Sequence, residues 1–333
     1  MGNNKFKAKR IVFASPQAAE HIYSPESRME VSLDKAEMLL YSGKQSRSFL
    51  SKIPPRGFTF LAHKVEPIYT KVTPFQTLVL ARYAGRIALF QDGEWQFLSG
   101  EDAEGNFHKH EAKLPAMLVD TEEPNVLIIG GGDGLAARDI LEVKPKAKIT
   151  LVDIDGDMIK FAASHPIMRR LNKDSIKKVK PIAADGISYM LNPKVHNKYD
   201  LIIVDLPDPI RETTYFLYDY PLIIGILNAL KSNGVVSIYS TTHESPLQDW
   251  LAYELKKFFY KVWTVPAHVE EMGIAGFVWA KYKKPEAEKV VRYYLKDALR
   301  EHLENIKAIS TPAPELVIKH KNIHKCKTRA LKE

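Results

Sequence analysis

The sequence predicts an α/β fold in which helices cover both faces of a parallel sheet, with a small β domain ahead of it. Three observations predict it. Apolar runs that are nearly continuous, not alternating, recur between Val126 and Tyr239, which is how strands buried on both faces read. Segments of helical patterning separate those runs, and strand–helix alternation builds parallel sheets. The first run breaks into Gly130-Gly-Gly-Asp-Gly134, a tight loop whose backbone can approach a ligand closely.

The elements follow in order. Residues 1–113 are expected to form an N-terminal region with a small β domain. Ser32 opens a candidate helix over Leu33–Leu40. The runs Thr59–Ala62, Gln76–Ala81 and Ile87–Phe90 read as short strands, with turns at Tyr83-Ala-Gly85 and Gln91-Asp-Gly93. The catalytic domain is placed at residues 114–284. Its strands are Val126–Ile129, Lys148–Val152, Val179–Ala184, Leu201–Val204 and Val235–Tyr239, and its helices Leu135–Leu141, Asp157–Ser164, Tyr220–Lys231 and Pro246–Phe259. Phe277–Ala280 reads as a closing strand, with Gly273-Ile-Ala-Gly276 as a loop over an acceptor pocket. Residues 285–333 hold an amphipathic helix and a basic tail. Val291, Tyr294, Leu295, Ala298, His302 and Ile306 share one face of that helix, and His302 is read as a packing residue.

The glycine loop constrains its ligand. Gly130 and Gly132 begin a G-x-G-x-x-G pattern whose third position is Leu135. A phosphate cradle uses backbone N–H groups, and Asp133 would repel a phosphate. The loop therefore suits a nucleoside without phosphates that carries a positive charge, such as a sulfonium of the S-adenosylmethionine type. Asp153 follows Asp133 at the spacing of an acid that takes ribose hydroxyls. Asp185 and Asp205 end the next two strands, so four carboxylates lie where ligands of such sheets bind. Past the fourth strand, Asp205-Leu-Pro-Asp208-Pro209 holds two carboxylates on a proline-stiffened backbone. Such a pair can bind an ammonium group and take a proton from an attacking amine.

These residues resemble the polyamine aminopropyltransferases, the spermidine and spermine synthases. Gly130–Gly134, Leu151-Val-Asp153, Asp185, Tyr199–Pro209 and Leu217-Tyr218 align in order, and upstream Phe75-Gln76 and Asp92-Gly-Glu-Trp-Gln96 resemble two further family motifs. The resemblance implies a Rossmann-like sheet of the methyltransferase type. It implies transfer of the aminopropyl group of decarboxylated S-adenosylmethionine, a co-substrate, to an amine acceptor such as putrescine, with release of methylthioadenosine. By position, Asp133 would hold the ammonium of the aminopropyl arm, Asp153 the ribose and Asp185 the adenine amino group. Gln76, Gln96, Gly130, Gly132 and Gly134 would line the nucleoside site. Asp205 would deprotonate the amine, Asp208 would bind the acceptor's far ammonium, and His110 and Tyr218 would line the acceptor site. The family also implies a homo-oligomer, a dimer or tetramer.

One segment departs from the family. Where it reads D-E-x-x-Y-H-E, this chain has Gly100–Glu111, with His110 and Glu111 in place but Lys109 at the tyrosine position. Three placements of Lys109 are open. The register slips and His108 or Phe107 fills the site; Lys109 pairs with a carboxylate; or Lys109 receives a substrate carboxylate. The last would make the donor S-adenosylmethionine itself, and the enzyme a methyltransferase or aminocarboxypropyltransferase. A catalytically silent relative is the third class. Arg211 is a second cation beside the acidic motif.

Composition agrees with a globular enzyme: 45% apolar and 26% charged residues. No apolar run approaches the ~18 residues that span a bilayer, and Ile11–Ala14 is too short for a signal-peptide core. Met1-Gly-Asn-Asn-Lys-Phe6 lacks the Ser or Thr of a myristoylation signal. The single Cys326 excludes an intramolecular disulfide and a cysteine-cluster zinc site, and a cytoplasmic location without membrane contact is expected. The net charge of +8 sits largely in the first ten residues and in Lys319–Arg329. That pattern reads as solvated ends and not as a nucleic-acid surface.

Overall fold

The computed structural model describes residues 65–92, 94–209, 212–270 and 272–310. The expected strand Thr59–Ala62, the helix opened by Ser32, Arg211, and the two basic ends at the first residues and Lys319–Arg329 all lie outside the described residues. The chain divides into two compact units: one runs up to Asn106 and takes in His268–Ile274, the other spans Phe107–Ala267 and continues from Ala275.

The first unit carries an antiparallel sheet in sequential order, β1 (Val65–Val72), β2 (Thr77–Tyr83), β3 (Arg86–Gln91) and β4 (Glu94–Leu98). The turn read at Tyr83-Ala-Gly85 joins β2 to β3. Ala84 and Gly85 both stand at positive φ, 47° and 78°, the twist that a two-residue hairpin needs. Leu78, Leu80, Leu89 and Phe90 are fully buried, and Trp95 meets Tyr83 and Phe90 edge-on at 5.4 and 5.3 Å. β1 and β4 were not read from the sequence. In β1, Glu66, Thr70 and Lys71 break the apolar pattern that marks a strand.

The second unit is built on a seven-stranded sheet in the order β10-β11-β9-β8-β5-β6-β7. Its strands are β5 (Asn125–Gly130), β6 (Lys148–Asp153), β7 (Lys180–Ala183), β8 (Tyr199–Asp205), β9 (Leu230–Thr242), β10 (Phe259–Val269) and β11 (Gly273–Lys283). β7, β6, β5, β8 and β9 are parallel, while β11 runs antiparallel to β9. Val126–Ile129 and Leu201–Val204 are fully buried, as continuous apolar runs require when both faces are covered. The helices are α1 (Leu135–Val143), α2 (Gly156–Ser164), α3 (Pro166–Leu171), α4 (Gly186–Met190), α5 (Tyr220–Ala229), α6 (Pro246–Phe258) and α7 (Glu286–Ser310).

From β5 the chain moves outward to β6 and β7, then returns to β8 on the other side of β5. This reversal opens a crevice at the carboxyl ends of β5 and β8. Gly130 and Asp205 are register partners there, so the glycine loop and the acidic motif start side by side.

One expectation is corrected and one strand was not anticipated. Gly273-Ile-Ala-Gly276 forms no loop; it opens β11, and Ala275 pairs with Thr242 of β9. β10 went unread because exposed Tyr260, Lys261 and Trp263 interrupt it at a sheet edge. The closing strand, by contrast, lies within β11. α7 packs on α5 and α4, burying Val291, Ala298, His302 and Ile306 of the anticipated face, while Tyr294 of that face is 49% exposed. No helix among the described residues is long and apolar enough to cross a membrane.

Candidate active site

The glycine loop is fixed by close approach. Gly130 stands at φ 80°, and a Cβ there would fall 1.8 Å from the Asp205 carbonyl oxygen, so only hydrogen fits between β5 and β8. A Cβ on Gly132 would sit 2.6 Å from Asp153 Oδ2, the oxygen that accepts the Gly132 N–H at 2.9 Å. Gly134 takes φ 81° at the entrance of α1, with Ser175 Oγ where a Cβ would project. Two side chains that the sequence did not mark hold this loop. Asn172 donates to the Asp133 carbonyl at 2.9 Å and Ser175 to the Gly134 carbonyl at 2.6 Å, and both residues are buried. Asp133 Oδ1 accepts the Leu135 N–H at 2.8 Å, which fixes its carboxylate at the loop's tip.

Asp153 at the end of β6 accepts N–H groups from Gly132 and, at 2.7 Å, from Asp155. Burial outweighs those bonds and pushes its carboxyl up to about 7. Asp205 at the end of β8 is pushed up to about 6, by burial first and then by the charge of Asp133, with His108 acting the other way. Glu111 is fully buried. Burial, then the charges of Asp205 and Asp133, drive it well above the ordinary carboxylate range. Glu111, which keeps its proton, shares a side-chain hydrogen bond with Asp205, and His108 Nε2 lies 4.0 Å away. Tyr218 and Tyr239 close the cluster. Burial, then Asp208, raises both phenols well above their usual value, and Tyr218 donates to the Leu206 carbonyl at 2.9 Å.

Glu111 and Asp205, both raised partly by the charge of Asp133, form a site short of positive charge. Carboxylates set together in low dielectric favour a cationic ligand, because it relieves repulsion and burial at once. Among the described residues, no group of His, Cys, Asp and Glu side chains is arranged to hold a metal ion.

The segment that carries Glu111 explains the departure at Lys109. Glu101–Gly105 and Lys109–Lys113 are π-helical turns around a short α turn, Asn106–His108. π turns carry extra residues and shift which positions face inward. His108 and Glu111 are buried, and Lys109 is exposed. Phe107 packs edge-on against Tyr239 at 5.1 Å, Phe277 at 5.2 Å and His108 at 5.2 Å. His110 is part-buried. So Phe107 and His108, and not Lys109, adjoin the residues of the acidic cluster.

Comparison with known proteins places this arrangement. Residues 107–283 match the spermine/spermidine synthase domain. The chain belongs to the spermine/spermidine synthase family. It is 29% identical over 244 residues to a polyamine aminopropyltransferase of Leptospira interrogans, covering 72% of this chain and 48% of that protein. It is 34% identical over 172 residues to polyamine aminopropyltransferase 2 of Aquifex aeolicus, covering 51% and 34%. The chain thus spans about half the length, or less, of these curated relatives. A spermidine synthase solved with the transition-state analogue AdoDATO superposes with TM-score 0.57 at 22% identity, covering 78% of this chain and 89% of that one. The Thermotoga maritima spermidine synthase gives TM-score 0.57 at 22% identity, covering 78% and 88%. Both show the same fold.

Within this family frame, Gly130, Gly132, Gly134, Asp133, Asp153 and Asp205 come together at the ends of β5, β6 and β8, with Tyr218 behind them. Asp208 acts on Tyr239 and Tyr218 from the loop after β8. Gln76 precedes β2 and Gln96 lies in β4, both part-exposed in the first unit. Asp185 ends the β7 segment and caps α4, its Oδ1 accepting the Ser188 N–H at 2.7 Å. Sequence reading missed Glu111's burial in the cluster, the loop anchors Asn172 and Ser175, and a partner of Asp185 on α7. The first had a signal, a Glu three residues after a His. The others are single polar residues far away in sequence, with no pattern to mark them.

Proposed function

We propose that this protein is an aminopropyltransferase of polyamine biosynthesis. It takes decarboxylated S-adenosylmethionine as donor and an amine such as putrescine as acceptor, and it releases methylthioadenosine. The observation that carries this reading is that Asp133 and Asp205, at the carboxyl ends of β5 and β8, meet buried Glu111, so that burial and like charge raise Asp205 and Glu111. Asp133 grips the ammonium of the donor's arm, Asp153 the ribose, and Asp185 the adenine amino group. Asp208 holds the acceptor's far ammonium, and Tyr218 lines the acceptor site.

An alkyl amine has a pKa near ~10.4 and arrives protonated. Asp205, with its carboxyl pushed up to about 6, is tuned to accept that proton near neutral pH. The freed nitrogen lone pair attacks the carbon beside the sulfonium, and the carbon–sulfur bond breaks. Its electron pair stays on sulfur, which leaves as the neutral thioether. Positioning and exclusion of water supply most of the rate in such an in-line displacement. Exposed Lys109 speaks against the intact donor, whose carboxylate would face acids. The family resemblance further supports a homo-oligomer, a dimer or tetramer, working in the cytoplasm, with the catalytic domain at 114–284.

The test is product analysis. The purified chain is incubated with either donor across a panel of amines, and the nucleoside product is identified by mass. Methylthioadenosine formed only with the decarboxylated donor and an amine is the expected result. S-adenosylhomocysteine, or methylthioadenosine from the intact donor, refutes the assignment.

A further inference from the structure

Asp185 has a partner on the far C-terminal helix. His302 of α7 is fully buried, and its Nε2 lies 2.9 Å from Asp185 Oδ1. Burial alone would raise the Asp185 carboxyl, but the His302 charge and hydrogen bond, with the Ser188 N–H, hold it below its usual value. Because Asp185 is thereby kept ionised, Nε2 must be the donor. Ser188 N–H and His302 both bond Oδ1, so Oδ2 takes neither of these two bonds. The imidazole also lies against Phe216, with ring centroids 5.4 Å apart at 34°. Phe216 opens the turn Phe216–Tyr218, and Tyr218 belongs to the acidic cluster. His302 thus touches both Asp185, two residues past β7, and the turn that follows the Asp205–Asp208 motif.

We infer that His302 is a positioning residue for nucleoside recognition: it fixes the charge and rotamer of Asp185, so that the C-terminal helix sets the preference for an adenine amino group. This rests on the nucleoside site proposed above. The partnered nitrogen of His302 spends its bond on the same Asp185 oxygen that caps α4, while Nδ1 is buried without a partner, so the ring's one anchored contact is the carboxylate. A hydrogen bond to a charged acceptor lost from a buried pair is expected to weaken what that acceptor binds by about tenfold or more.

The test measures methylthioadenosine and methylthioinosine binding by calorimetry, alongside donor KM and kcat. Methylthioinosine carries a carbonyl oxygen in place of the amino group, which an ionised Asp185 repels. Wild type is expected to prefer methylthioadenosine by about a hundredfold. His302→Leu loses about tenfold of that preference by weakening methylthioadenosine alone, raises donor KM to match, and leaves kcat within about twofold. His302→Gln keeps an N–H donor at similar reach and recovers most of the loss. If the Leu protein fails to fold, His302→Asn, whose amide falls short of Asp185, takes its place under the same criterion. An unchanged preference, or equal weakening of both nucleosides, overturns the inference while leaving the nucleoside site standing. Binding of neither nucleoside by wild type refutes the site and the inference together.

Discussion

At the scale of residues, the site works by where its protons sit. Asp205→Asn keeps the shape of the site but cannot take a proton. It should lower kcat by about 10²–10⁴-fold while methylthioadenosine binding stays within about threefold. His108 holds Asp205 down from a still higher value. His108→Leu should therefore move the acid limb of the pH profile above about 6, whereas Lys109→Ala, at an exposed position, should leave the profile in place. Asp153 gives a second pH signature. Burial pushes its carboxyl up to about 7, and it must be ionised to accept two ribose hydroxyls. Methylthioadenosine affinity should rise between pH 6 and 8, by at most about tenfold per unit, with proton release measurable in buffers of different ionisation heat. Affinity that is flat or falls over that range would count against the ribose role. Asp133, Asp153 and Asp205 were legible in the sequence because each ends an apolar run, and strand ends are where such sheets bind ligands. The Asp185–His302 pair was not, because a contact across 117 positions leaves no local pattern.

At the scale of elements, the loop after β5 is the most constrained piece of backbone. Gly130→Ala would drive a methyl into the Asp205 carbonyl at a positive φ. The variant should lose several kcal/mol of stability or part β5 from β8, seen as a lower melting temperature together with loss of nucleoside binding. Gly85→Ala offers a control, because nothing lies within 4 Å of that position although φ is 78°; it should cost only about 1 kcal/mol. The parallel strands and their helices were readable because burial on both faces writes long apolar runs. β1 and β10 were not, because half-exposed edge strands mix charges and aromatics. The π turns at Glu101–Gly105 and Lys109–Lys113 defeated register counting, because motif spacing presumes 3.6 residues per turn and π turns insert extra ones. That is why the sequence left Lys109 and a slipped register with His108 or Phe107 as open alternatives, and the π turns decide for the slip.

At the scale of the whole molecule, the acidic cluster sets a stability cost that a ligand relieves. Asp153, Asp205 and Glu111 all titrate above their unfolded values. Between about pH 4 and 7 the folded protein therefore holds protons that the unfolded chain has released, and stability falls as pH rises through that window. Asp185 has the opposite sign. Its stabilisation is present above the unfolded carboxylate pKa and is lost only as pH falls through its lowered folded value. The melting temperature of the empty protein should thus drop by on the order of 5 °C between pH 5 and pH 8. A saturating diamine should flatten the drop, and a melting temperature that climbs steadily over that range would contradict the clustering of charge.

The most direct measurement compares affinities for decarboxylated S-adenosylmethionine, S-adenosylmethionine and methylthioadenosine by calorimetry at pH 7.5, in wild type and Asp133→Asn. The account predicts that the decarboxylated donor binds about a hundredfold tighter than the intact one, and that Asp133→Asn removes most of that advantage while methylthioadenosine is held as before. Equal or tighter binding of the intact donor, or an advantage that survives Asp133→Asn, would contradict a site built to grip an ammonium arm.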